Sequence, residues 1–253
     1  MRILLTNDDG YHARGLQVLE RLAARFSDDV WIVAPAEDQS GTGRSLTLTR
    51  PLRVRRHGDR RFAVTGTPTD AVMMALGELM VDHKPDLILS GVNRGANLAE
   101  DVLYSGTVSA AAEGALAGIR AIALSQRYAA GEGAAMTFDV AETWGERILR
   151  PLIDAPLAPR TLVNVNFPPR DVSGVRIVRQ GLRDYGRVRM DRRDDPRGNA
   201  YYWLAMGSID HVPVAGTDLH AAADDHIAIT PLHLDLTHDA SMAMLTQAFS
   251  GEA

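Results

Sequence analysis

Three short segments of the chain combine residue types that handle metal ions or anions with glycines that leave room for a ligand. Asn7-Asp8-Asp9-Gly10 sets two carboxylates side by side where an apolar run ends. Hard oxygens of this kind suit Mg²⁺ or Mn²⁺. Neighbouring residues on a strand face opposite ways, but at a strand-to-loop bend both can converge on one ion. A solvated turn is the simpler alternative, because Asn, Asp and Gly are turn residues. Ser90-Gly91-Val92-Asn93-Arg94-Gly95-Ala96-Asn97 follows a second apolar run, and its two asparagines are hard to explain by packing. Asn93 offers a neutral oxygen to a metal already held by carboxylates. Ser105-Gly106-Thr107 opens a helix of small residues. Free N–H groups and the positive dipole end make a helix start a phosphate site, although an ordinary Ser N-cap explains the same residues.

Other segments are weaker. Ala34 to Ser45 contains Gly41, Gly43 and Arg44 and superficially resembles a phosphate loop, but the first glycine is missing and Arg44 stands in place of the lysine, which excludes a nucleotide triphosphatase. Thr67-Pro68-Thr69-Asp70 reads as an N-cap, a proline at the first helical position and an acid in the first turn. The eight histidines show no HExxH spacing, and there is no GxSxG elbow.

These segments need a frame that brings them together. Ile3–Thr6, Val30–Ala34, Leu87–Ser90 and Ile119–Leu124 are predominantly apolar runs, as expected of strands buried on both faces of a parallel sheet. Helical patterns lie between and after them: Leu16–Leu22, Thr69–Met80 and Val108–Ala117. The alternation predicts an α/β fold, Rossmann-like and doubly wound, with ligands beyond the carboxyl ends of the strands. A further helix is expected from Thr137 to about Leu152, ended by Pro151, and strands at Thr161–Phe167, Tyr201–Leu204 and His226–Thr230. The core spans about residues 1–170, and a β-rich extension with an arm occupies about 171–253.

Composition narrows the chemistry. The 253 residues carry 27 Lys+Arg against 32 Asp+Glu, so a chain-wide basic footprint for a nucleic-acid polymer is absent. Without cysteine there is no disulfide, thiolate metal site or cysteine nucleophile. Lys84 is the only lysine, and nothing around it suggests a site. No stretch approaches the ~18 apolar residues of a membrane span, and the start does not read as a signal peptide, so a cytoplasmic protein is expected.

Together, Thr6-Asn7-Asp8-Asp9-Gly10, Ala34-Pro35 with Ser40-Gly41, Gly66-Thr67-Pro68-Thr69-Asp70, Ser90 to Asn97 and Tyr104-Ser105-Gly106-Thr107-Val108 resemble the SurE family of bacterial nucleotidases. Asn164-Val165-Asn166-Phe167-Pro168, Tyr201-Tyr202-Trp203, Thr217-Asp218 and Ile229-Thr230-Pro231-Leu232 extend the resemblance over nearly the whole chain. It implies a phosphatase for nucleoside 5′- and 3′-monophosphates, with short polyphosphate as a further substrate, working with one divalent ion per subunit (Mg²⁺ or Mn²⁺). It places the metal ligands on Asp8, Asp9, Ser40 and Asn93, and the phosphate contacts on Asn97, Ser105, Gly106 and Thr107. It further implies a homodimer or homotetramer built through the extension. Two positions depart from the family pattern: Asp225-His226 where a glycine and an aromatic residue are expected, and Ala71 where a cysteine is common. Neither belongs to the ligand set.

The expected reaction is direct attack on the phosphomonoester by a water that the ion has acidified, with Asp8 or Asp9 orienting or deprotonating it. The helix start would hold the remaining phosphate oxygens. A covalent aspartyl-phosphate is the alternative chemistry. A receiver-like phosphoacceptor also places an acidic pair after its first strand, but it needs an acceptor aspartate and a later lysine that this chain lacks. A non-catalytic nucleotide-binding protein leaves the acidic pair unexplained, because carboxylates repel phosphate unless a metal intervenes. The nine arginines between Arg170 and Arg197 alternate with acids and are expected in a salt-bridged arm or subunit contact.

Overall fold

The computed structural model describes residues 1–128, 137–183, 188–206 and 212–250. Asp184, Tyr185, Gly186 and Arg187 of the arginine-rich stretch lie outside them. In chain order the elements are β1 (Ile3–Thr6), α1 (Arg14–Ala23), β2 (Val30–Pro35), β3 (Val54–Gly58), β4 (Arg61–Val64), α2 (Pro68–Met74), β5 (Leu87–Arg94), α3 (Gly106–Leu116) and β6 (Arg120–Gln126). There follow α4 (Asp139–Asp154), β7 (Thr161–Phe167), β8 (Gly174–Ile177), β9 (Val188–Asp194), β10 (Ala200–Met206), α5 (Asp218–Ala223), β11 (His226–His233) and α6 (Asp239–Phe249).

Nine strands form one sheet in the order β3-β4-β2-β1-β5-β6-β7-β11-β8. From β4 to β7 every neighbouring pair is parallel, whereas β3 and β11 join antiparallel. The apolar runs have two faces to fill. On β1, Ile3 and Leu5 pack into the core beneath α1 and α4, while Leu4 packs into the core beneath α2 and α3. Leu87 and Leu89 against Ile88, and Ile122 and Leu124 against Ala121 and Ala123, repeat the division on β5 and β6. The chain leaves β1 toward β2 on one side and returns to its other side with β5. The carboxyl ends of β1 and β5 therefore flank the topological switch point, where open α/β sheets bind ligands.

Three local outcomes differ from expectation. The predicted Thr69–Met80 helix is α-helical only to Met74, and Ala75–Leu79 continues as a wider π turn. Pro151 does not end α4, which runs on to Asp154. Its missing N–H removes one bond near the helix end, while Leu152 and Ile153 beyond it still pack on the core. The hairpin of β3 and β4 was not expected: β4 buries Phe62, Ala63 and Val64, but β3 is the sheet edge, reads Val-Arg-Arg-His-Gly and is almost wholly exposed. The β-rich excursion of the second half is present as β8 and a separate two-stranded ribbon of β9 and β10. Within its arginine-rich stretch, Arg183 pairs with Glu100 and Asp101, Arg192 with Asp194 and Arg193 with Asp191. Among the described residues no helix is long and apolar enough to cross a membrane.

Candidate active site

At the end of β1 the chain turns at once. Asn7 donates its side-chain amide to the Gly10 carbonyl at 2.9 Å and closes the bend. The bend carries Asp8 inward, only 4% exposed, and leaves Asp9 half-buried. The start of α3 meets Asp8 from the other side of the switch point. The Thr107 hydroxyl donates to Asp8 Oδ1 at 2.5 Å. A Cβ at position 106 would stand 2.8 Å from the Asp8 Cβ, 3.0 Å from its Oδ2 and 2.8 Å from Pro68 Cγ, so only glycine fits there. Ser105 caps the helix by accepting from the Val108 amide at 3.1 Å. The Gly106 and Thr107 amides belong to the first helical turn, whose N–H groups have no partner within the helix.

Burial pushes the Asp8 carboxyl up to about 6, against the Thr107 hydroxyl bond and with the charge of Asp9 adding to the rise. Burial also raises Asp9; the Arg94 amide, which donates to it at 3.1 Å, opposes this, and the charge of Asp38 reinforces it. Two carboxylates are thus held where neither is comfortable as an anion without a counter-charge.

The Asn93 amide donates to the Gly95 carbonyl at 2.9 Å, which leaves Oδ1 as its free oxygen. Gly91, at φ +138, permits this bend: a Cβ would come within 2.2 Å of the Leu124 carbonyl. Ser40 is exposed on the loop after β2, and its amide bonds to Asp38 at 2.8 Å. The loop is pinned to the acidic pair because the Gln39 amide donates to the Asp8 carbonyl at 2.8 Å. Farther on, the Thr47 hydroxyl and amide bond to Asp70, whose side chain also closes a capping box with Thr67.

Asn97 sits inside a network of long sequence separation. Its amide nitrogen donates to Asn166 at 2.8 Å, its side chain donates to Ser125 at 2.8 Å, and its carbonyl accepts from Asn164 and Asn166. The structure therefore brings Asp8, Asp9, Gly106 and Thr107 together, places Asn93 next to Arg94, whose amide bonds to Asp9, and seats Ser40 on the adjoining loop. The side chains of Asn97 and Thr107 are committed to protein partners. Asp38 and Ser125 carry no signal in the sequence, whereas Asn164, Asn166 and Asp218 enter it only through the family resemblance; Asp218 accepts from the amides of Ala99 and Gly181. The alternation Asn164-Val165-Asn166 on a strand was the one available signal, since it places two amides on one face.

All the candidate donors are oxygens, two charged and the rest neutral, which matches a hard divalent ion. Among the described residues no group of three or more His, Asp or Glu could hold a metal, so any ion here depends on the neutral oxygens beside the acidic pair. A cavity of about 550 Å³ lies elsewhere, between α4 and the segment after β7, with Trp144 and Arg170 in its wall.

The family profile described as Survival protein SurE matches residues 3–187. A protein named 5′-nucleotidase SurE from Rhizorhabdus wittichii is 61% identical over 253 residues, covering 98% of this chain and 100% of its own length. The protein of the same name from Erythrobacter litoralis is 54% identical over 252 residues, with coverage of 98% and 100%. The crystal structure of the SurE protein from Aquifex aeolicus superposes with a TM-score of 0.83 at 36% identity and covers 98% of this chain and 99% of its own. Profile, full-length identity and fold agree, and the chain belongs to the survival protein SurE family.

Proposed function

We propose that this chain is a 5′-nucleotidase that hydrolyses nucleoside 5′- and 3′-monophosphates to nucleoside and phosphate with a divalent metal ion. The observation that carries this is the Asp8 carboxylate, buried against the first turn of α3 with Asp9 beside it. Full-length relatives that bear the name 5′-nucleotidase support it.

Asp8, Asp9, Ser40 and Asn93 would hold one Mg²⁺ or Mn²⁺ per subunit. When bound, the ion supplies charge neutralisation for phosphate and lowers the pKa of water. The chain supplies the rest. The Gly106 and Thr107 amides and the Ser105 hydroxyl receive the phosphate oxygens at a helix start, where neither lysine nor arginine is required. Thr107, through its hydroxyl, fixes the orientation of Asp8. Asn97 anchors the loop that carries Asn93, and so borders the phosphate position. Asp9 is the less buried of the two acids, and is the better placed to take the proton of the attacking water.

We treat the chain as one domain, with a core to about residue 170 and an extension after it. The ribbon exposes Tyr201, Tyr202, Trp203 and Leu204, and α6 buries none of its residues, which fits a homodimer or homotetramer. A cytoplasmic location and short polyphosphate as an additional substrate complete the proposal.

A substrate panel tests it: phosphate release from 5′-AMP, 3′-AMP, other monophosphates and short polyphosphate, with Mn²⁺, Mg²⁺ or EDTA. Metal-dependent release from the monophosphates is expected. Its absence from every one of them would refute the assignment.

A further inference from the structure

A cleft of about 350 Å³ opens at the carboxyl ends of β2 and β4, beside the acidic pair. Gln39 belongs to both places, since it lines the cleft and its amide donates to the Asp8 carbonyl at 2.8 Å. The opposite wall is held in place by two hydrogen bonds: the Arg53 amide donates to the Thr65 hydroxyl at 2.9 Å, and the Thr65 amide donates to the Arg53 carbonyl at 2.9 Å.

Arg50 and Arg53 line this cleft, both are exposed, and neither guanidinium has an ion-pair partner among the described residues. On the neighbouring hairpin three of the four arginines are paired, Arg56 with Asp59, Arg60 with Asp29 and Arg61 with Glu20, while Arg55 lies outside the cleft. The cleft lining sets one carboxylate, Glu37, against the two guanidiniums. In a chain of net charge -5, two unpaired arginines in a concavity joined through Gln39 to the Asp8 backbone mark a place for an anion. Among the described residues no aromatic ring lines the cleft, so a nucleobase would find nothing to stack on there.

We propose that Arg50 and Arg53 receive a second phosphate carried by the same substrate, so that nucleoside bisphosphates bind more tightly than monophosphates. The inference rests on the nucleotidase assignment and adds to it a substrate class and a specificity site.

The test compares steady-state phosphate release from 5′-AMP and from adenosine 3′,5′-bisphosphate by the full-length protein at a fixed free Mn²⁺ concentration. The wild type should show a KM about tenfold lower for the bisphosphate, with similar kcat; a tenfold change corresponds to about 1.4 kcal/mol, the order of a charge-assisted contact at an exposed site. The double variant Arg50→Gln/Arg53→Gln should lose that advantage while its kinetics on 5′-AMP stay unchanged. Arg55→Gln, an exposed arginine outside the cleft, should keep it. Equal KM values in the wild type, survival of the advantage in the double variant, or its equal loss in Arg55→Gln would each overturn the proposal. Release from neither substrate would overturn the nucleotidase assignment itself, an outcome distinct from 5′-AMP turnover without bisphosphate preference.

Discussion

Replacing Asp8 by Asn should make the metal-free protein more stable while removing its activity. The Asp8 carboxyl rises from its ordinary 3.8 to about 6, with burial as the leading cause. A folded-state value above the unfolded one means that the penalty is absent well below pH 4, grows as pH rises, and is complete above pH 6 to 7. The interval from 3.8 to about 6 corresponds to about 3 kcal/mol when complete. About half of that is already present at pH 5. Asn keeps the shape and can still accept from the Thr107 hydroxyl, so the variant should relieve the charge without opening a cavity. For a chain of 253 residues, about 3 kcal/mol amounts to roughly 6–12 °C in Tm. The assay is a pair of thermal melts in EDTA, wild type and Asp8→Asn, at pH 5 and pH 7.5. The variant should melt higher at pH 7.5, and by a wider margin than at pH 5. With Mn²⁺ the order should reverse, because only the wild type binds the ion strongly. A variant that melts at or below the metal-free wild type at pH 7.5, or a margin that does not grow with pH, would refute the electrostatic account of this site.

Gly106→Ala should lower kcat/KM for 5′-AMP by a hundredfold or more and cost about 1–3 kcal/mol in chemical denaturation, because its methyl would meet Asp8 and Pro68. Thr107→Val removes a bond that lowers the Asp8 pKa, so the acid limb of the pH–rate profile should move to higher pH; an unmoved limb would separate Thr107 from the reaction. Asn166→Ala leaves the buried Asn97 N–H without its acceptor and should cost about 1–3 kcal/mol, with a raised Mn²⁺ requirement read from activity titrations. Rapid acid quench during turnover of ³²P-labelled 5′-AMP should leave no label on the protein, whereas a stable phospho-aspartate at Asp8 or Asp9 would contradict direct attack by water.

The parts of the fold legible in the sequence were those in which one local pattern determined the outcome. Leu4 between Ile3 and Leu5 needs an apolar partner on each face of the sheet, so β1 could be read from three residues. The acidic pair is visible because its two members are adjacent in sequence, although its partners Thr107 and Arg94 are 99 and 85 residues away. Asn97 is different: its partners Ser125, Asn164 and Asn166 lie 28 to 69 residues away, and the Asn164-Val165-Asn166 alternation marks two of them without pointing to Asn97. Asp38 was hidden for a similar reason, since it acts on Asp9 across the gap between two loops. The β3 edge strand carries arginines where a buried strand would carry valines, because only its pairing partner and not the core holds it. Asp225 takes a φ of +52 at the position where the family pattern expects glycine. The departure was legible in the sequence, but the left-handed backbone behind it was not.

Phosphate release from 5′-AMP by the wild type and by Asp9→Asn, each with Mn²⁺ and with EDTA, tests the central claim most directly. The account predicts turnover in the wild type with Mn²⁺ only, and near-complete loss in a folded Asp9→Asn protein under both conditions. Turnover that survives either EDTA or the loss of Asp9 would contradict it.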